Sequence, residues 1–292
     1  MAVSVVGSTM IGGKSMPKAQ AASGLELASV HAAVGDLGTG QVLYTKRADT
    51  SVPIASVTKL MTAMVVLDAK QSLGEWITIA ARKNTYGKNG FSHLRPGSKA
   101  TRGDLLRLTL MASENLAAYA LALHYPGGVK AFVDAMNRKA RELKMTRSYF
   151  DDPSGLSPAN RASAADLLKM VSAASRYPTI REYTGNYSYR ATFREPDYKL
   201  SYVNTNPLTA SSRWSVEVSK TGYLVEAGRC LVMIAEIDGR PISMVFLNSF
   251  GTRTPIGDAG RVRRWLQTGK GGSIAAAARA YEASVVAKRE TP

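Results

Sequence analysis

Three short groups of residues, met in one order along the chain, carry the chemistry this sequence can do: Ser56-Val57-Thr58-Lys59, then Ser113-Glu114-Asn115, then Lys220-Thr221-Gly222. A serine hydroxyl becomes a nucleophile when a base within hydrogen-bond reach takes its proton, and a lysine three residues further along a helix faces the same side. For Lys59 to be that base, its pKa must fall from about 10.4 toward neutrality, which burial and a neighbouring cation both promote. Lys220 is the candidate for the second cation. The three groups together describe serine acyl transfer that needs no histidine.

Context sorts the true groups from chance matches. Ser15-Met16-Pro17-Lys18 has the same Ser-x-x-Lys form, but Pro17 breaks a helix interior and parts the two side chains. Ser56 instead leads into the apolar run 59–67, which reads as a buried helix with Ser56 at its first turn. The N-terminus of that helix offers N–H groups and a positive dipole end to an oxyanion. The second group lies within 105–123, apolar almost throughout, which reads as two buried helices meeting at the Ser-Glu-Asn turn. There Ser113 is placed to relay a proton to a leaving amine, and Asn115 to orient Lys59 and a substrate backbone. Alone, the same turn reads as an ordinary cap between helices. A rival match, Tyr202-Val203-Asn204, sits in the polar stretch 201–212 and ranks second.

The third group belongs to a strand. Residues 214–220 alternate apolar and polar, and 229–235 with 242–247 around Asp238-Gly239 read as a hairpin. Lys220 to Gly222 is therefore expected to end a strand of an antiparallel sheet. Gly222, lacking a side chain, is expected to let a substrate peptide add along that edge, with Thr221 bonding a substrate carboxylate or carbonyl. The N–H groups of Ser56 and Tyr223 are the candidate oxyanion hole. An early hairpin, 30–46, turns through Asp36-Leu37-Gly38-Thr39-Gly40. The fold class is α+β: an antiparallel sheet built from both ends of the chain, a helical lobe inserted between, and the site at their junction.

These residues carry a resemblance. Residues 54–63, Leu110-Met111-Ala112-Ser113-Glu114-Asn115, His124-Tyr125-Pro126-Gly127-Gly128, Lys220-Thr221-Gly222-Tyr223 and 226–233 resemble the low-molecular-mass penicillin-binding proteins. Within them the chain looks like the D-alanyl-D-alanine endopeptidases of the penicillin-binding protein 7 type, over roughly 30–269. The resemblance implies a β-lactamase/transpeptidase-like fold and a Ser56 acyl-enzyme with a D-alanyl residue. It also implies peptidoglycan stem peptides as substrate and β-lactam antibiotics as inhibitors. Carboxypeptidases of the family usually carry a second, β-rich domain and a terminal amphipathic anchor, and the residues after Gly222 leave no room for such a domain. An endopeptidase cutting D-alanine from diaminopimelate in cross-links is therefore expected ahead of a D,D-carboxypeptidase. A β-lactamase is the nearest rival enzyme, but the loop 150–160 lacks a glutamate in a Glu-x-x-x-Asn register and is similar to the Pro-x-Gly-Leu loop of the penicillin-binding proteins. Slow hydrolysis of β-lactams follows. A non-catalytic wall-peptide binder is the remaining alternative, and the intact set of Ser56, Lys59, Ser113, Asn115 and Lys220 favours catalysis.

Composition bounds the rest. At 292 residues with 45% hydrophobic content the chain can bury a sizeable core. It divides into a flexible start or export-signal remnant at 1–24, a catalytic domain at 25–269 and an alanine-rich tail at 270–292, which is helix-prone or disordered. The net charge of +16 is dispersed and accompanies no nucleic-acid-binding motif, so an anionic wall polymer or membrane surface is the better partner. His31, His93 and His124 fall in no metal-ligand spacing, and neither metal nor cofactor is expected. Cys230, the single cysteine, reads as a core residue; Arg229 is a candidate carboxylate-binding cation, and Glu226 stays ambiguous. Residues 1–13 lack a positive n-region, yet Ala19-Gln20-Ala21 fits a small-x-small cleavage pattern. No apolar run of 18 or more occurs, so a spanning helix is not expected; the substrate that the resemblance implies lies outside the cytoplasm, so the expected location is periplasmic or otherwise extracytoplasmic, with loose membrane association at most.

Overall fold

Alternating segments at the two ends of the chain come together as one sheet. The computed structural model describes residues 24–82 and 92–290; the segment 1–23, and with it the Ser15 match and the cleavage pattern, lies outside the described residues. The chain begins with strands β1 (Ser29–Asp36), β2 (Val42–Lys46) and the short β3 (Val52–Pro53). The helical lobe holds α1 (Thr58–Asp68), β4 (Trp76–Thr78), β5 (Lys99–Thr101), α2 (Arg102–Met111), α3 (Asn115–Leu123), α4 (Gly128–Glu142), β6 (Arg161–Ala162), α5 (Ala164–Ala174) and α6 (Pro178–Gly185). A hairpin of β7 (Ser188–Phe193) and β8 (Tyr198–Val203) leads to β9 (Ser215–Leu224), β10 (Gly228–Ile237) and β11 (Arg240–Ser249). Helices α7 (Thr254–Thr268) and α8 (Ala276–Glu290) follow.

The main sheet runs β2-β1-β11-β10-β9 with every neighbouring pair antiparallel. Its inner strands are covered on both faces, so β1 is buried along its whole length. On one face Ala33, Val232, Ile234, Val245 and Leu247 join the core of the helical lobe. On the other, Ala32, Val34, Met233, Met244 and Phe246 pack with Ala259 and Val262 of α7. The two-residue turn of the β10–β11 hairpin has left-handed backbone at Asp238 (φ 52°) and Gly239 (φ 73°), as the Asp-Gly signal requires. The edge strand β9 continues past Lys220-Thr221-Gly222 to Leu224, because 223 and 224 keep pairing with 229 and 228. The group therefore sits within the strand and not at its end.

Helix α1 is buried from Thr58 through Val66, Lys59 included, the pattern of a helix with neighbours on every side. It starts at Thr58, preceded by a 3-10 turn over Ala55–Val57, so Ser56 lies in that turn and not in the first turn of the α-helix. Helices α2 and α3 meet at a left-handed residue, Ser113 (φ 61°). Thr101 caps α2 by accepting from the Asp104 N–H, and Glu114 caps α3 by accepting from the Leu116 N–H.

Two contacts fasten the chain ends. Asp258 of α7, fully buried, accepts from the N–H of Ala28 (2.9 Å), the N–H of Ser29 (2.8 Å) and the Ser29 hydroxyl (2.6 Å). The alanine-rich tail forms α8. Its Ala278 packs with Ala28 and Ile274, Glu282 pairs with Lys46 and Arg47, and Tyr281 donates to Asn248 Oδ1 at 2.5 Å. No helix among the described residues is long and apolar enough to cross a membrane.

Removing the Asp258 carboxylate strands two buried backbone donors. Asp258→Ala should lower the unfolding free energy by about 2–4 kcal/mol, read as a lower urea midpoint at unchanged slope. A midpoint equal to the parent's contradicts this role.

Candidate active site

The site is assembled from four stretches of chain that meet at the 3-10 turn. Ala55 has a positive φ of 47°, costly for a residue with a side chain, and its carbonyl accepts from the Thr58 hydroxyl at 2.8 Å. The conformation survives because glycine lies on either side of the turn. Gly155 (φ 80°) presses its backbone so close that a Cβ there would stand 2.0 Å from the Ala55 carbonyl oxygen. A Cβ at Gly222 would stand 3.1 Å from both the Ile54 carbonyl oxygen and the Ser56 nitrogen. What Gly222 admits is thus the chain's own nucleophile turn against β9, where the sequence reading expects a substrate peptide.

Lys59 is fully buried, and its Nζ donates to Ser56 Oγ at 2.8 Å, Asn115 Oδ1 at 2.7 Å and the Ser154 carbonyl at 2.5 Å. Burial pushes the amine down to about 7; Asp152 and Glu114 oppose the fall, and Arg82 adds to it. The sequence reading takes Lys220 as the second cation. In the structure Arg82 is the cation acting on Lys59, whereas Lys220 is itself held well below the lysine range by its burial and by the charge of Lys59. The Lys220 amine donates to the Thr221 carbonyl at 3.0 Å.

The other predicted residues fall as follows. Asn115 opens α3 and meets Lys59, and its carbonyl accepts from Arg82 at 3.0 Å. The Ser113 hydroxyl is not hydrogen-bonded to Ser56 or Lys59 among the described residues; Ser113 lines a cavity between the α2–α3 turn and β8. Thr221 donates to the Thr205 hydroxyl at 2.6 Å. Tyr223 is exposed, and the Arg229 guanidinium stacks 3.9 Å from its ring centre, which occupies Arg229 with a neighbour. In the rival match, the Asn204 side-chain amide donates to the Thr184 and Asn186 carbonyls, a structural tie. Cys230 is buried, its thiol pushed up to about 12, so it holds no thiolate at neutral pH.

The sequence reading misses Asp152 and Asn160. Asp152 accepts from the N–H groups of Ser154, Gly155 and Ser157 and from the Ser154 hydroxyl, and Asn160 brackets it from the other side. This network fixes the Ser154 carbonyl over Lys59. The available signal is Asp152-Pro153-Ser154-Gly155, a side chain set to bond its own loop and followed by a glycine.

A buried lysine against a serine, a Ser-x-Asn turn and a Lys-Thr-Gly strand narrow the comparison to one group, and the sequence profile of the D-alanyl-D-alanine carboxypeptidases, peptidase S11, matches residues 17–251. The chain belongs to that family. Among S11 relatives, the D-alanyl-D-alanine endopeptidase of Pseudomonas aeruginosa is 45% identical over 94% of this chain and 88% of its own length. The D-alanyl-D-alanine endopeptidase of Escherichia coli is 43% identical over 90% and 85%. Among solved structures, a Streptomyces DD-transpeptidase superposes with a TM-score of 0.75 at 32% identity, covering 81% of this chain and 96% of that one. The S11 fold thus agrees with the sheet-plus-lobe reading of the sequence. Gly155→Ala should drive a methyl into the Ala55 carbonyl. The rate of acylation by benzylpenicillin should fall about a hundredfold or more, and a rate within threefold of the parent would refute the close approach.

Proposed function

We propose that this S11 peptidase is a D-alanyl-D-alanine endopeptidase that opens peptidoglycan cross-links through an acyl-enzyme on Ser56. The observation that carries the reading is the buried Lys59 amine, 2.8 Å from the Ser56 hydroxyl, with a pKa near the pH at which it must act. As a free amine Lys59 takes the Ser56 proton while Ser56 Oγ attacks the carbonyl carbon of the D-alanyl residue. The oxyanion forms beside the Ser56 and Tyr223 N–H groups. The C–N bond to diaminopimelate then breaks, and the leaving amine receives the proton held by Lys59; for Ser113 to relay it, its hydroxyl must turn toward Lys59 once substrate is bound. Water, giving its proton to Lys59, hydrolyses the ester and restores Ser56. Asn115 orients Lys59, Lys220 holds the far wall, and Thr221 with Gly222 borders the bound peptide.

Endopeptidase is preferred to carboxypeptidase because of the pattern of relatives. Two endopeptidases align at 43–45% identity over nearly the whole chain. The carboxypeptidase DacF of Bacillus subtilis aligns at 33% over 74% of this chain and 56% of its own length. A penicillin-binding protein of Listeria monocytogenes, solved in its cefotaxime-bound form, shares the fold with a TM-score of 0.70 at 27% identity, which supports β-lactams as inhibitors. Release of a penicilloyl group should be slow. The carboxylate nearest the site on the 150–160 loop, Asp152, is committed to bonds within its own loop and is poorly placed to activate water. The net charge of +16 suits an enzyme concentrated on an anionic wall polymer outside the cytoplasm.

Incubation with benzylpenicillin, followed by intact mass, should give a lasting adduct that Ser56→Ala abolishes, and cross-linked muropeptide dimers should become monomers. No adduct and no cleavage would leave a binding protein, and rapid turnover without an adduct a β-lactamase. The acylation rate should also rise with pH through about 7 and level off above, because only deprotonated Lys59 accepts the proton. Arg82→Gln removes a charge that lowers the Lys59 pKa, so the rising limb should move to higher pH; an unmoved limb contradicts the assignment.

A further inference from the structure

The stretch that follows β8, Asn204-Thr205-Asn206, has one exposed residue, Thr205, between two buried ones. The Thr205 N–H donates to the carbonyl of Met111 at 3.1 Å, two residues before Ser113, and the Thr205 hydroxyl accepts from Thr221 of the Lys-Thr-Gly group at 2.6 Å. Thr205 therefore stands between the end of α2 and β9, the elements that lead to Ser113 and carry Lys220. The asparagines hold it from either side. The Asn204 amide donates to the Thr184 and Asn186 carbonyls at 2.8 and 2.9 Å, and its Oδ1 accepts from the Asn206 N–H at 2.9 Å. The Asn206 amide donates at 2.7 Å to the hydroxyl of Ser219, the neighbour of Lys220, and its Oδ1 accepts from the Leu208 N–H at 3.0 Å. Both side chains are spent inside the fold, so Thr205 is fixed in place before a ligand arrives.

A threonine hydroxyl has one proton to give and two lone pairs to receive. Thr221 gives its proton to Thr205, and while that bond stands it has none for a substrate oxygen. The Thr205 proton meets no protein acceptor among the described residues, and the residue is exposed. The donor that this pair offers a ligand is therefore on Thr205, where the sequence reading expects it on Thr221. The bond received from Thr221 polarises the Thr205 hydroxyl and strengthens the bond it gives.

The substrates share an acceptor for it. In a D-alanine–diaminopimelate link, in a terminal D-alanyl-D-alanine and in benzylpenicillin alike, the departing nitrogen is attached to a carbon that bears a carboxylate. A hydrogen bond to an ionised oxygen is stronger than one to a neutral carbonyl. We propose that Thr205 is a substrate-binding residue whose hydroxyl, oriented by Thr221, donates to that carboxylate. The inference rests on the acyl-enzyme reading and adds to it a residue outside the three sequence groups.

The test measures, on the full chain, noncovalent affinity and acylation rate separately for benzylpenicillin and for its methyl ester, in which the carboxylate charge is masked. Thr205→Val keeps the shape and removes the hydroxyl. Affinity for benzylpenicillin should fall about fivefold or more and affinity for the ester by less than about twofold, with the rising pH limb near 7 unmoved. Thr205→Ser should restore affinity to within about twofold of the parent, and Thr205→Ala repeats the comparison should valine disturb folding. Thr221→Val should cost less than Thr205→Val, because Thr205 keeps its proton. Affinity within about twofold of the parent in folded Thr205→Val and Thr205→Ala, equal losses on acid and ester, or a larger loss for Thr221→Val overturns the assignment. A parent protein that forms no adduct at Ser56 overturns the acyl-enzyme reading instead.

Discussion

An amine sealed from water must either find a negative charge or give up its proton, and the organisation of this molecule follows from holding Lys59 in that position. Its three hydrogen-bond partners, Ser56 Oγ, Asn115 Oδ1 and the Ser154 carbonyl, are neutral; the ammonium donates to all three, whereas the free amine donates to Asn115 and Ser154 and accepts from the Ser56 hydroxyl. The carboxylates that act on it, Asp152 and Glu114, are turned to other donors: Asp152 to its own loop, Glu114 to Ser92, His93 and Leu116. Burial consequently prevails over attraction, and the amine settles near neutrality. A direct ion pair would reverse that balance and leave an ammonium unable to take a proton from serine.

Keeping water away from Lys59 requires neighbours on every side, and each comes from a different part of the fold. Helix α1 is enclosed by the lobe, the α2–α3 turn supplies Asn115, the Asp152 loop supplies a carbonyl, and β9 closes the remaining side with Lys220. Such close convergence leaves no room for side chains at two points of backbone approach, which explains glycine at 155 and 222. The strained Ala55 is the visible cost, of the order of 1–3 kcal/mol, carried by the packing around it. The sheet joins both ends of the chain for a related reason. β9 can be pressed on the nucleophile turn only if β1, β11 and β10 behind it are anchored, and Asp258 provides that anchor through Ala28 and Ser29.

Much of this was legible in the sequence where local pattern and tertiary demand agree. The β10–β11 hairpin followed from alternation and Asp238-Gly239, and the α2–α3 break from a polar triplet inside an apolar run. Placing Ser56 at the start of α1 was less accurate, because the positive φ of Ala55 is imposed by Gly155, about a hundred residues away. Arg82 and Asp152 are illegible for the same reason: they lie in segments without periodicity, and their meaning is spatial. Ser154 and Lys59 stand 95 positions apart. The tail was ambiguous because alanine favours a helix without specifying a partner. Its seat depends on isolated contacts of Ala278, Tyr281 and Glu282 that no repeat announces.

Lys59 is substantially unprotonated at neutral pH because the fold buries it without a carboxylate paired to it. Titration of lysine ε-carbon resonances by NMR, with the Lys59 signal assigned through Lys59→Arg, measures this without turnover. The Lys59 signal should titrate near 7. A Lys59 signal that holds its protonated shift to about pH 10, as an ordinary lysine does, would contradict it and require another base for Ser56.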